Sequence, residues 1–173
     1  MFIRTREIKI YHVNTLILVC GPAAIGKSTF CARYAAEHSG EFHTIAADEV
    51  RKELYGGYDK FPPHGNMMIV YEEMVRRAKE FIKGKDGVSV VLDTTMLYDE
   101  RRLFFVRHLK EFDKKILILL KLHDYSICLV RNKSRSEDKW VPEDIILNMA
   151  SHYEDPSEEC LRAFDEYREC YVD

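Results

Sequence analysis

Eight consecutive residues, Gly21-Pro22-Ala23-Ala24-Ile25-Gly26-Lys27-Ser28, fit the pattern G-x-x-x-x-G-K-[ST]. Their types suit one task, holding phosphate. Glycine lets the backbone turn so that successive N–H groups face one anion. A helix starting just beyond adds its positive end. A lysine ammonium reaches the β- and γ-phosphates, and a serine hydroxyl is able to ligate Mg²⁺. The surroundings strengthen the reading: the apolar run Leu16 to Cys20 leads into the loop and a helical pattern follows Lys27. The bland alternative is a glycine-rich strand-to-helix turn with no ligand. Ala23, Ala24 and Ile25 stand where many such loops carry glycine and serine, so a bulkier loop is expected.

Bound triphosphate becomes a phosphoryl donor only with three further groups: a base at the accepting hydroxyl, a carboxylate near the metal, and cations facing the phosphoryl in flight. Asp48, in Ala46-Ala47-Asp48-Glu49-Val50-Arg51, is the candidate base, facing the loop across the strand ends. It reads equally well as the N-cap of a helix at Glu49. Arg51, one turn on, is suited to hold an acceptor phosphate with two N–H groups. Asp93 follows the apolar run Val88-Ser89-Val90-Val91-Leu92 and pairs with Ser28 as the candidate metal-holding set; the plain alternative is a turn residue. Arg131 and Arg135 are four apart on one expected helix and share a face, as a lid over triphosphate requires. With Lys133, Glu137, Asp138 and Lys139 nearby, a solvated charged face competes.

The elements that must position these residues follow from apolar periodicity. Strands are expected at Leu16 to Cys20, His43 to Ala47, Val88 to Leu92, Lys115 to Leu122 and Tyr167 to Val172. Helices are expected at Lys27 to His38, Glu49 to Leu54, Asn66 to Lys83, Glu100 to Phe112, Tyr125 to Arg135, Glu143 to Tyr153 and from Ser157. Pro142 is placed for a first helical turn. Strands alternating with helices predict an α/β fold with a mainly parallel sheet. In such sheets the ligand sits at the carboxyl ends of the strands, so the loops after Cys20, Ala47 and Leu92 should meet. Residues 1–14 fit less simply; Glu7 to Val13 reads as an extra edge strand. The 173 residues are about one domain's worth.

A composition of 46% hydrophobic and 32% charged residues argues against disorder, and a net charge of −3 requires any nucleic-acid contact to use a local patch. Five scattered cysteines with no CxxC pair suit a reducing, cytoplasmic setting. The charged N-terminus does not resemble a signal peptide, and no apolar run is long enough to span a bilayer, so a soluble chain with no membrane partner is expected. Asn132-Lys133-Ser134-Arg135 lacks the Asp of a guanine-reading segment, and the chain is short for a motor or AAA-type ATPase. A small phosphotransferase using ATP and Mg²⁺ fits better. Trp140 and the tyrosines read as core or edge packing.

Taken in order, the blocks resemble the 5′-polynucleotide kinase domain of the phage and bacterial RNA-repair type, within the P-loop kinases. The blocks are Gly21 to Ser28; Asp48-Glu49-Val50-Arg51; Leu92-Asp93-Thr94-Thr95; Glu100-Arg101-Arg102; Arg131-Asn132-Lys133-Ser134-Arg135; and Val141-Pro142 with Ile145 and Met149. The resemblance runs from about Leu16 to Tyr153. It implies an adenylate-kinase-like three-layer α/β/α fold, a five-stranded sheet of order 2-3-1-4-5, and a helical lid over about 125–142. It implies that Asp48 activates a nucleic-acid 5′-hydroxyl, that Arg51 contacts the acceptor phosphate, and that Thr94 lies on the acceptor side. The donor site it implies is Gly21, Pro22, Ala23, Ala24, Ile25, Gly26, Lys27, Ser28 and Thr29 with Arg131 and Arg135. Lys27 and Arg135 join Asp48 in catalysis. Some relatives carry a fused phosphatase or ligase domain; no DxDxT motif is present here, so a kinase alone is expected.

Two other readings stand beside this one. A kinase of a nucleoside, nucleotide or sugar, or a zeta-toxin-like kinase, would share the donor half. An NTP-binding regulatory module would keep the loop without turnover. A polynucleotide acceptor needs an open basic channel, for which Arg51, Lys52, Arg76, Arg77, Arg101 and Arg102 are candidates, and rings for base stacking, for which Tyr55, Tyr58 and Phe61 are candidates. Acceptor identity and oligomeric state, homo-oligomer included, stay open.

Overall fold

The computed structural model describes residues 12–173. Five strands, β1 (Thr15–Cys20), β2 (Phe42–Ala46), β3 (Ser89–Asp93), β4 (Lys114–Lys121) and β5 (Glu166–Tyr171), form one sheet of order β2-β3-β1-β4-β5. Every neighbouring pair is parallel. Among the described residues seven α-helices intervene: α1 (Lys27–Ala36), α2 (Ala47–Tyr55), α3 (Met68–Ile82), α4 (Asp99–His108), α5 (Ile127–Lys133), α6 (Glu143–Ser151) and α7 (Glu158–Arg162).

The sheet is buried on both faces, which is why its central strands read as unbroken apolar runs. Side chains alternate across a strand, so β1 sends Leu16, Leu18 and Cys20 to one side and Ile17 and Val19 to the other. The first face packs against Val50 of α2, Val70, Met74 and Ala78 of α3, Phe105 of α4 and Cys160 of α7. The second packs against Cys31 and Tyr34 of α1, Cys128 of α5 and Ile146 of α6. Three α/β/α layers result. Burial pushes the Cys20 and Cys31 thiols up to about 12, so they act as small apolar groups.

Register brings the chemistry to one edge. Val19 lies beside Asp93, and Asp93 beside Ala46, so β1, β3 and β2 end level and release their loops together. β1 is also where the chain reverses its direction across the sheet, the usual place for a ligand crevice.

Several expected boundaries are corrected. The helix expected to run to Phe112 ends at His108; Leu109 and Phe112 keep the apolar spacing and are buried, but a turn delivers them to the core. The helix expected over Tyr125 to Arg135 spans only Ile127–Lys133, so Arg135 lies beyond it and does not share a helix face with Arg131. Ser134 takes the Arg131 carbonyl through its hydroxyl, an exposed side-chain bond that competes with a further helical turn. Residues 12–14 carry no strand; the rest of the extra strand expected at Glu7 to Val13 lies outside the described residues. Among the described residues no helix is long and apolar enough to cross a membrane.

Candidate active site

A cleft of about 1010 Å³ opens at the carboxyl edge of the sheet, and the loop between β1 and α1 forms its floor. Gly26 caps α1 with a left-handed φ of 108° and makes no side-chain cap, which leaves the first N–H groups of the helix to an anion. Gly21 is required sterically: a Cβ there would stand 2.9 Å from Cγ2 of the buried Ile25. Ala24 is held at φ 60°, a left-handed backbone that costs a non-glycine residue about 1 kcal/mol or more. The bulk expected in this loop is thus accommodated by Ile25 turning into the core and Ala24 taking strain.

The loop is fixed from behind. The Gly21 N–H donates to the Thr95 carbonyl at 3.0 Å, and the Tyr153 hydroxyl donates to the Cys20 carbonyl at 3.0 Å. Lys27 Nζ donates to the carbonyls of Gly21 (3.0 Å) and Pro22 (2.9 Å), so its ammonium is held over the loop. Arg131 donates to the Ile25 carbonyl at 2.8 Å and to the Val172 carbonyl at 2.5 Å, joining loop, α5 and the end of β5. Two of its N–H groups are therefore committed to backbone.

Ser28 Oγ donates to Asp93 Oδ2 at 2.8 Å. Asp93 is buried, and burial raises its carboxyl above the ordinary carboxylate range, with Asp48 adding to the rise; Lys27, the Ser28 hydroxyl and Arg135 oppose it. A buried carboxylate short of compensating charge, paired with a hydroxyl, suits a divalent cation. No group of three or more His, Cys, Asp or Glu is arranged to cage an ion among the described residues. Two protein oxygens are what Mg²⁺ shared with phosphates requires.

Asp48 is 57% exposed by side chain and sits inside the first turn of α2, whose N-cap is Ala46. The N-cap alternative is therefore wrong: the carboxylate faces the cleft and pairs with Arg51 at 3.1 Å. Arg51 is buried, donates to the Tyr58 carbonyl at 2.8 Å, lies 4.0 Å under the Phe61 ring, and leaves its Nε without a partner among the described residues. Thr94 is buried next to Asp93 and lines the same cleft, as do Thr29 and Arg135.

Of the three candidate rings, Tyr55 packs on the core. Tyr58 lies between Lys52 (4.3 Å) and Lys139 (4.2 Å), with its hydroxyl on Glu49. Phe61 is 58% exposed and lines the cleft. Of the six candidate channel cations, Arg76 and Arg77 pair with Glu73 and Glu53, and Arg102 is wholly buried against three carbonyls and Asp99.

Sequence reasoning missed the residues that build the lid's base. The buried Asn132 side chain donates to the Val141 carbonyl (2.9 Å) and accepts from its N–H (3.1 Å), closing the 133–140 loop. A lone asparagine gives no hydropathy signal for this. Trp140 is corrected from packing to cleft wall: it is about half exposed and its indole N–H donates to the Arg135 carbonyl at 2.8 Å. Tyr153, which steadies the end of β1, also gave no motif, and Arg102, singled out as a channel cation, instead holds the carbonyls of Met96, Leu97 and Glu154.

The family model described as "AAA domain" matches residues 16–156. No curated protein sequence matches the chain. Among solved structures, a chain of the Pnkp1/Rnl/Hen1 RNA repair complex superposes with a TM-score of 0.69 at 18% identity, over 93% of this chain and 49% of that one. A gluconokinase from Sinorhizobium meliloti 1021 gives 0.60 at 18% identity, over 92% and 82%. Chaetomium thermophilum Kti12 in complex with ADP-AlF3 gives 0.58 at 17% identity, over 91% and 89%. The chain spans about half the length of the RNA-repair chain. These likenesses show the fold, with the sheet order 2-3-1-4-5 of a P-loop kinase. The family's description also means that chain length does not set this sequence apart from proteins bearing the AAA name.

Proposed function

The chain belongs to the AAA domain family as a P-loop kinase-type domain, and on that premise we propose that it transfers the γ-phosphate of ATP to the 5′-hydroxyl of DNA or RNA. One observation carries the acceptor half: the Asp48–Arg51 pair, 3.1 Å apart, faces the cleft whose floor is the phosphate loop. The RNA-repair likeness supports the same reading.

Each group then has a task. The N–H groups of the loop and of the α1 N-terminus hold the donor phosphates, with Lys27 at their outer oxygens. Ser28 and Asp93 would hold Mg²⁺, which neutralises charge on the phosphate oxygens when bound. Asp48 takes the proton of the accepting hydroxyl as that oxygen bonds to the γ-phosphorus and the bond to the β-phosphate oxygen breaks, releasing ADP. Arg51, with an unmet Nε–H, offers a charged donor to the acceptor's phosphate. Arg135 lines the cleft from the lid side and faces the transferring phosphoryl; Arg131 steadies the loop beside it. Phe61 offers a ring face to the terminal base.

The test is transfer of labelled γ-phosphate to 5′-hydroxyl DNA and RNA oligonucleotides, with nucleosides and gluconate alongside. Label on the oligonucleotides supports the proposal. Label only on a small metabolite would replace it with the metabolite-kinase reading, for which the gluconokinase likeness speaks.

A further inference from the structure

The six basic residues able to form a channel reduce to two once their contacts are known. Arg76, Arg77 and Arg102 are paired with acidic or carbonyl partners, and Lys52 lies on Tyr58. Arg51 lines the main cleft. Arg101 lines a second, smaller cavity of about 240 Å³. The two cavities share Met67, Tyr71 and Thr95, so one groove leads from Asp48 and Arg51 towards Arg101.

Arg101 is held in place but not neutralised. Its Nε donates to the Tyr98 hydroxyl at 3.1 Å, and one terminal nitrogen to the Met68 sulfur at 2.9 Å, a weak acceptor. Its guanidinium lies 5.5 Å from the Tyr71 ring and 5.8 Å from the Tyr98 ring. No carboxylate stands within 4 Å of it among the described residues. A fixed guanidinium with free N–H groups facing a cavity recognises a tetrahedral oxyanion bidentately. The cavity has about a quarter of the cleft's volume, enough for a phosphodiester.

We infer that the Arg101 cavity is a second phosphate subsite, and that the acceptor is a strand gripped at two successive phosphates, the first at Arg51 and the next at Arg101. This rests on the kinase reading above and deepens it, adding a second phosphate contact one nucleotide along the acceptor strand.

The experiment compares phosphorylation of a nucleoside 3′-monophosphate, which carries one phosphate, with that of a 5′-hydroxyl dinucleotide 3′-phosphate, which carries two. The wild type, Arg101→Gln, Arg101→Lys and the surface control Arg76→Gln are measured, each with a thermal melt. Arg101→Gln should raise KM for the dinucleotide about tenfold, leave kcat and the monophosphate KM unchanged, and lower the salt slope of log KM by about 0.7, the share of one single-strand phosphate contact. Arg101→Lys should keep that slope while losing part of the affinity. Equal effects on both acceptors, or none on either, would overturn the subsite while leaving the kinase reading intact. Failure of the wild type on both acceptors would overturn the kinase reading and the subsite together.

Discussion

Contacts around the phosphate loop join residues far apart in the chain: Gly21 with Thr95, Ser28 with Asp93, Arg131 with Ile25 and Val172. Contacts around Asp48 are mostly local: Asp48 with Arg51, Arg51 with Tyr58, Tyr58 with Glu49 and Lys52. The donor end is thus a product of the whole sheet, and it forms when the sheet forms. The proposed acceptor end is centred on one helix and the loop after it, able to change its side chains while β1, β3 and β4 stay packed. That difference gives a physical reason for one fold to appear in solved proteins as unlike as a gluconokinase and an RNA repair complex.

The sharpest way to test the contrast is to disable one end and read the other. Asp48→Asn should lower kcat by ~10²–10⁴, the usual worth of a general base, while nucleotide affinity measured by calorimetry stays at the wild-type value. An equal loss of nucleotide affinity would mean that the two ends are not separable. Lys27→Ala should lower the transfer rate by ~10²–10³, as for one lost donor to developing charge, and should also weaken nucleotide binding.

Asp93→Asn divides stability from turnover. The carboxyl holds its proton more tightly in the folded chain than in the unfolded one, where its pKa is about 3.9. The wild type therefore loses stability as pH rises through the interval between those two values, and the amide does not titrate. The variant should melt above the wild type at pH 7–8, with the gap closing as pH falls towards 4, yet transfer little phosphate. Saturating Mg²⁺ and ADP should lift the wild-type melting temperature more than the variant's; at a hundred Kd the lift is worth about 2.7 kcal/mol. The smallest effect belongs to Phe61→Ala. Loss of one stacked base is worth ~1–3 kcal/mol, read as a raised acceptor KM. The ring is exposed, so the melting temperature should hardly move.

The same contrast decides what was legible in the sequence. The donor end is encoded as a contiguous motif between apolar runs, and its buried partner Asp93 ends another such run, so types and order sufficed. The strands could be read because both sheet faces are covered. The acceptor end depends on which face of α2 meets the cleft, and Asp48 carries the same letters as a cap until the helix is seen to begin at Ala47. The lid helix is expected to reach Arg135, four residues from Arg131, but it ends at Lys133. The Asn132–Val141 pair and the Ser134 side chain, which end that helix, are hydrogen bonds, and hydropathy does not register them. The channel cations were over-counted because charge alone does not say which arginines already have partners.

The bond from Arg131 to the Val172 carbonyl has a consequence for the sheet's margin. Among the described residues β5 is an outermost strand, paired only to β4, and strands with few buried contacts are among the first to open when a domain breathes. Fraying there would free Arg131 and with it the Ile25 carbonyl, so order in the last strand and order in the loop rise and fall together. Whatever fills the loop also quiets the opposite rim, and the slow local openings of β5 become a gauge of what the site holds.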